Sequence, residues 1–217
     1  MPEKDITGGN PLLARVYAAT TPAESRAAYE EWAATYDDDM VKEEYVAPGI
    51  CAAAIEKYSG IDGMYDFRAI LDAGCGTGRC GLELRKLGAK TIDGVDYSPG
   101  MLSIAQKTNT YRALNTADLS KSIPQIEDES YDAVICVGTL TQGHVGPDPA
   151  LGEFVRAVKK GGVVVATVLE TIWESEGYEA EVGRLEREGK VEVVEKEVQS
   201  YRKSSGVGGR VLVLRKL

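Results

Sequence analysis

Residues 70–96 constrain the fold of this chain more than any other stretch. An apolar run, Ile70-Leu71, ends in Asp72 and enters the turn Ala73-Gly74-Cys75-Gly76-Thr77-Gly78. A second apolar run then leads through Ile92-Asp93-Gly94-Val95 to another acid, Asp96. A strand that empties into a glycine-rich turn, followed by a strand that ends in a carboxylate, is how a doubly wound α/β sheet grips an adenosine-containing ligand at the carboxyl ends of its strands.

The rest of the chain alternates in the same way. Ala69 to Asp72 and Thr91 to Asp96 read as the first two strands. The helix between them buries Cys80, Leu84 and Leu87 and stops at Gly88. Ser98-Pro99 starts a helix through Met101, Leu102 and Ala105. Ala113 to Thr116 is a weak third strand, Tyr131 to Val137 a strong fourth and Val163 to Val168 the fifth. Between the last two, Asp148-Pro149 caps a helix carrying Leu151, Phe154, Val155 and Val158 on one face, ended by Lys159-Lys160-Gly161. Thr171-Ile172-Trp173-Glu174 has the spacing of a capping box and predicts a long helix ending near Gly189. Val191 to about Tyr201 and Arg210 to Leu214 flank a Ser/Gly-rich turn and predict a closing hairpin. The expected class is α/β, a Rossmann-like seven-strand, mainly parallel sheet with an antiparallel C-terminal hairpin strand.

Ahead of the core, residues 1 to about 20 read as loosely ordered. Thr21-Pro22-Ala23-Glu24 is a helix start: threonine caps, proline sets the first helical dihedral and glutamate closes the box. That helix carries Tyr29 and Trp32 and gives way to Tyr36-Asp37-Asp38-Asp39. A further helix opens at Pro48 and buries Cys51, Ala54, Ile55 and Tyr58. The chain therefore divides into a tail and helical lid at 1–48 and a core at 49–217.

Composition narrows the partners. The net charge is -9, which disfavours nucleic acid, since Arg202-Lys203 and Arg215-Lys216 are short and isolated. The four cysteines, Cys51, Cys75, Cys80 and Cys136, have no metal-site spacing, and the single histidine cannot complete one. No metal is expected, and the thiols read as buried and free in a reducing compartment, the cytoplasm. There is no membrane-length apolar run.

Gly76-Thr77-Gly78-Arg79-Cys80-Gly81 matches the dinucleotide pattern G-x-G-x-x-G, with Asp96 following. Four features point elsewhere. Asp72 precedes the glycines, where it would crowd a pyrophosphate but suit a ligand ammonium group. The glycines begin early, as Gly74-x-Gly76-x-Gly78. A third acid follows the third strand in Ala117-Asp118-Leu119. The chain closes with a hairpin and not with a second mononucleotide half.

Together these features resemble the class I S-adenosylmethionine-dependent methyltransferases from about residue 20 onward. Glu31-Trp32-Ala33-Ala34-Thr35-Tyr36-Asp37, Glu44-Tyr45-Val46-Ala47-Pro48, Asp96-Tyr97-Ser98-Pro99-Gly100-Met101-Leu102 and Val137-Gly138-Thr139-Leu140 are similar to the Williams-Beuren-region methyltransferase-like proteins within that class. The resemblance implies S-adenosyl-L-methionine as cofactor and S-adenosyl-L-homocysteine as product. It implies that the turn around Asp72, Gly74, Cys75, Gly76 and Gly78 receives the methionyl part, because glycines let a ligand approach the backbone. Asp96 would accept from both ribose hydroxyls. Asp118 and the Leu119 amide would read the adenine edge, with Tyr97 and Met101 on its faces. Val137 would stand at the end of the fourth strand, and Tyr29 and Tyr36 would reach the cofactor from the lid. The departures, Cys75 and Arg79, vary positions in or beside the cofactor turn. The resemblance does not carry an acceptor.

The loop Gly138-Thr139-Leu140-Thr141-Gln142-Gly143-His144-Val145 faces the transferred methyl in such a fold. His144 there is either a general base or a surface-loop residue. Thr139, Thr141 and Gln142 either orient an acceptor or are plain loop polarity. Asp37-Asp38-Asp39 reads as a solvated helix start, or else as an attractor for a cationic acceptor. The expected reaction is direct in-line methyl displacement onto a small molecule, a protein acceptor being the other possibility. The competing readings are a cofactor-binding protein that works through partners without catalysis, and an NAD-linked oxidoreductase.

Overall fold

A computed structural model describes residues 6–58 and 69–217. Ahead of the sheet come α1 (Pro11–Tyr17), α2 (Pro22–Trp32), α3 (Tyr36–Lys42) and α4 (Ala47–Tyr58). The core then runs β1 (Ile70–Ala73), α5 (Arg79–Lys86), β2 (Ile92–Asp96), α6 (Pro99–Lys107), β3 (Ala113–Thr116), β4 (Tyr131–Leu140), α7 (Pro147–Ala157) and β5 (Val158–Leu169). It closes with α8 (Tyr178–Arg187), β6 (Val191–Arg202) and β7 (Val207–Lys216).

The seven strands form one sheet in the order β3-β2-β1-β4-β5-β7-β6. The first five pair in parallel, and β7 inserts antiparallel between β5 and β6. This is the predicted mainly parallel sheet with its closing hairpin. Strands covered on both faces need apolar residues at consecutive positions. β1 is buried at all four positions, and Val163–Val168 of β5 and Val211–Leu214 of β7 supply the same continuous burial, with Thr167 a buried polar member. The edge strand β6 instead carries Glu192, Glu195, Lys196 and Glu197 among its valines, charges that keep an open edge from recruiting another strand.

β1 lies between β2 and β4, so the crossover direction reverses there and the carboxyl ends of β1 and β4 splay apart. A crevice opens at such a point. α4 closes the core by burying Cys51, Ala52, Ala54 and Ile55, and all four cysteines are buried and free.

The helices ahead of the core have a small core of their own. Leu13, Val16, Ala28, Trp32 and Met40 cluster together, and the Trp32 indole N–H donates to Asp39 at 2.9 Å. The predicted capping box at α2 is present, with Thr21 and Glu24 each accepting from the other's backbone. Several expectations need correction. Residues 11–17, read as loose, form α1, because Asn10 accepts from the amides of Leu12 and Leu13 and Val16 is fully buried. Thr171 starts no long helix. Glu170–Ile172 is a single 3₁₀ turn, and α8 begins only after Gly177 turns the chain with φ +82°. Asp148 is extended (φ -110°, ψ 128°), the backbone conformation of an N-cap, so the regular part of α7 opens at Pro149 as expected. Val158 already pairs with Tyr131, so β5 begins where a helix end was expected. Among the described residues, no helix is long and apolar enough to cross a membrane.

Candidate active site

The turn after β1 is fastened to its neighbour before any ligand is considered. The amides of Gly74 and Cys75 both donate to the Val95 carbonyl, at 2.8 and 3.0 Å. Gly74 sits at φ +75°, and a Cβ there would collide with the Thr139 side chain arriving from the end of β4. Gly76 sits at φ +53° with open space where a Cβ would stand. Both positions favour glycine by conformation, and at Gly76 the bare backbone borders free volume.

Asp96 closes β2 and faces this turn. One carboxylate oxygen accepts from Gly76 N at 2.8 Å and the other from Ser98 N at 2.9 Å. Burial pushes its carboxyl up, against the pull of these amides and that of Tyr97. Each oxygen has a second lone pair to offer a ligand. Past β3, Asp118 accepts from the Ser120 amide at 3.1 Å and hydroxyl at 2.5 Å and pairs with Lys121 at 2.8 Å. Partial burial acts to raise its pKa, but those bonds outweigh it and hold the carboxyl below its usual value.

One cavity joins these parts. Its wall includes Tyr29, Tyr36, Gly74, Gly76, Asp96, Tyr97, Met101, Asp118, Leu119, Val137 and His144 from the sequence reading. Asp72, Cys75 and Gly78 are not on it. Asp72 is fully buried beneath the turn, where it accepts from the Tyr111 hydroxyl at 2.6 Å. Burial raises its pKa to about 7; Tyr111 opposes that rise and Asp96 adds to it. Cys75 is buried, and Gly78 is the N-cap of α5. The wall also holds residues the sequence reading missed: Ser25 and Arg26 of α2, and Ser98, Ala117 and Ser120 beside the acids. The Arg26 guanidinium lies 5.1 Å from the Tyr97 ring centroid, a stacking contact that no local pattern marks.

His144 is half-buried in the loop after β4. Nδ1 hydrogen-bonds the Thr141 hydroxyl, Nε2 is buried with no partner, and the rings of Tyr29 and Tyr17 lie 5.5 and 6.2 Å away. Burial lowers its pKa to about 4, so the ring is neutral at pH 7. The acidic run at the start of α3 is equally specific. Asp37 accepts from Thr77 Oγ1 at 2.8 Å and meets Arg79 at 3.4 Å, which ties α3 to the glycine turn. Glu30 ties α2 to α6 by accepting from the Ser98 hydroxyl at 2.8 Å and from Gly100 N at 3.0 Å.

A second, much smaller void shares Tyr29, Tyr36 and Gly138 with the first. Tyr45, Tyr201 and Arg202 complete its far side. Gly138 has φ +83°, and a Cβ there would stand 2.6 Å from the Tyr45 hydroxyl. The chamber's walls run from residue 13 to residue 202, so no contiguous pattern could announce it.

A family model described as a methyltransferase domain matches residues 70–162. The human methyltransferase-like protein 27 is 35% identical over 164 residues, which cover 74% of this chain and 65% of that protein. The chain thus spans just under two thirds of that relative's length. Among solved structures, a chain from the complex between the Haloferax volcanii Trm112 methyltransferase activator and its methyltransferase superposes with a TM-score of 0.64 at 18% identity, covering 88% of this chain and 98% of that one. A TehB-like SAM-dependent methyltransferase from Corynebacterium glutamicum superposes with a TM-score of 0.61 at 24% identity, covering 88% and 100%. At these identities the superpositions speak for the fold.

Proposed function

The chain belongs to the class I S-adenosylmethionine-dependent methyltransferases, and from that premise we propose that it transfers a methyl group to a small-molecule acceptor by direct displacement. The observation that carries this reading is that one cavity gathers Gly74, Gly76, Asp96, Asp118 and His144 at the carboxyl ends of β1 to β4. The cavity fits the cofactor of that family. It offers bare backbone at Gly76 and the carboxylates of Asp96 and Asp118 on its wall.

In this reading Asp96 binds the ribose hydroxyls with its remaining lone pairs, and Asp118 with the Leu119 amide reads the adenine edge. Tyr97 and Met101 flank the base, and Val137, Gly74 and Gly76 border the methionyl part. Asp72 and Cys75 support that turn from beneath it. When bound, the cofactor supplies an electrophilic methyl group on a sulfonium. Positioning and the exclusion of water are then the main tasks left to the protein. Tyr29 and Tyr36 perform the second task by roofing the cavity, so residues 1–48 act as a lid on the core at 49–217. His144, with Nδ1 held by Thr141, offers Nε2 to the proton of an acceptor's oxygen or nitrogen.

Tritium supplied on the methyl of S-adenosylmethionine tests the proposal in a deproteinised metabolite extract. Label should enter the low-mass fraction only when the protein is present. Label entering only added protein, or none entering at all, would contradict a small-molecule acceptor.

A further inference from the structure

The face that α2 turns to the cavity is made by Pro22, Ser25, Arg26 and Tyr29, at the i, i+3, i+4 and i+7 spacing of one helical stripe. Arg26 is the charged member of that stripe, and it is half-buried. Its guanidinium lies over the Tyr97 ring, 5.1 Å from the centroid, and among the described residues it makes no hydrogen bond or ion pair. The carboxylates of the same wall are engaged elsewhere. Asp118 pairs with Lys121 at 2.8 Å, and Asp96 accepts from the amides of Gly76 and Ser98. Glu30, one helical turn beyond Arg26 and on the same side of α2, accepts from the Ser98 hydroxyl and the Gly100 amide.

Arg26 and Glu30 therefore grip the same loop, from Asp96 to Gly100, which carries the carboxylate at the end of β2 and the ring beside it. A guanidinium whose flat face rests on a ring keeps its edge N–H groups free. The contact strengthens as water is excluded from it. A ligand that fills the cavity beside Tyr97 excludes that water. Ligand binding and the hold of α2 on the loop then favour each other, and the coupling is reciprocal.

We propose that Arg26 is a positioning residue for the cofactor's base: it holds the Tyr97 ring against the adenine and so makes α2 close on the nucleoside half of the ligand. The inference rests on the cofactor reading above, in which Tyr97 flanks the base, and it adds which half of the ligand the lid responds to. The nucleoside brings α2 down, and the methionyl tail adds affinity without moving it.

The test uses the full chain with two ligands, S-adenosylhomocysteine and 5′-methylthioadenosine, the second lacking the amino-acid end. Arg26→Ala should weaken both by the same factor, about three- to thirtyfold, the range of a cation–π contact. Because Arg26 acts through Tyr97, the double variant with Tyr97→Leu should bind no more weakly than Tyr97→Leu alone. Arg26→Lys, which keeps the charge without the flat face, should recover part of the loss, and it serves if the alanine variant does not fold. Saturating 5′-methylthioadenosine should slow amide exchange over residues 22–32 in the parent and leave it unchanged in Arg26→Ala, while the two free proteins exchange alike. A purely structural role would instead speed exchange in the free variant. Affinity of Arg26→Ala within twofold of the parent, losses that add in the double variant, or equal slowing of exchange in parent and variant would overturn the inference. Failure of the parent to bind S-adenosylhomocysteine would instead sink the cofactor reading beneath it.

Discussion

At the scale of single residues, three side chains carry testable chemistry. Asp96 already accepts one backbone N–H on each oxygen, so its ligand-binding capacity is the second lone pair of each. Asp96→Ala should weaken S-adenosylhomocysteine binding by about 2–3 kcal/mol, and Asp96→Asn, which keeps one acceptor, should lose less. Equal losses in a calorimetric titration would mean that the carboxylate only braces the turn. His144→Ala should leave that affinity unchanged and lower turnover about a hundredfold. Because burial lowers the His144 pKa to about 4, the acid limb of the parent's pH–rate profile should lie near 4 and not near the ordinary imidazole value. The same shift has a stability consequence. A histidine whose pKa is depressed in the fold contributes stability that is present above about 6.5 and is lost as the pH falls toward 4. Asp72 acts in the opposite sense. Its pKa is raised by burial to about 7, so the folded state favours the protonated acid, and stability is lost as the pH rises from about 4 to 7. Urea denaturation at pH 4.5 and pH 7.5 separates the two. Relative to Asp72→Asn, the parent should lose stability over that rise, by up to about 1.4 kcal/mol per pH unit. A constant difference between them would contradict a protonated Asp72.

At the scale of elements, α2 and α3 are held to the core by two polar clamps, Asp37 on Thr77 and Arg79, and Glu30 on Ser98 and Gly100. Each clamp is worth about 1 kcal/mol in net terms, which fastens the roof of the cavity without freezing it. Amide exchange over residues 22–42 should slow when S-adenosylhomocysteine is added. Asp37→Ala combined with Glu30→Ala should speed it in the free protein and weaken ligand binding. Unchanged exchange in both comparisons would mean that these helices do not serve as a lid. The clamps were invisible in the sequence, where Asp37 reads as a solvated helix start, because their partners stand 40 and more residues away. The capping box at Thr21 was legible because it is a local bond pattern. The false box at Thr171 has the same spacing, but Gly177 breaks the chain before a helix can continue.

At the scale of the molecule, the sheet could be read ahead of the structure because its period is local: apolar runs, glycine turns and capped helices recur in order. Most of the cavity wall could be read too, since Gly74, Gly76, Asp96 and Asp118 stand at or just beyond strand ends and Val137 lies on the apolar run of β4. What could not be read comes from residues that converge from both ends of the chain. The pairing of Asp72 with Tyr111 removes that acid from the cavity, and Arg202 meets Ile6 and Tyr17 from the last hairpin. The central claim is that the cavity beside Asp96 takes a nucleoside with a methionyl tail and not a dinucleotide. Calorimetric titration of the full chain with S-adenosylhomocysteine and with NAD tests it most directly. One S-adenosylhomocysteine should bind per chain while NAD gives no measurable heat; comparable binding of NAD, or no binding of S-adenosylhomocysteine, would contradict the account.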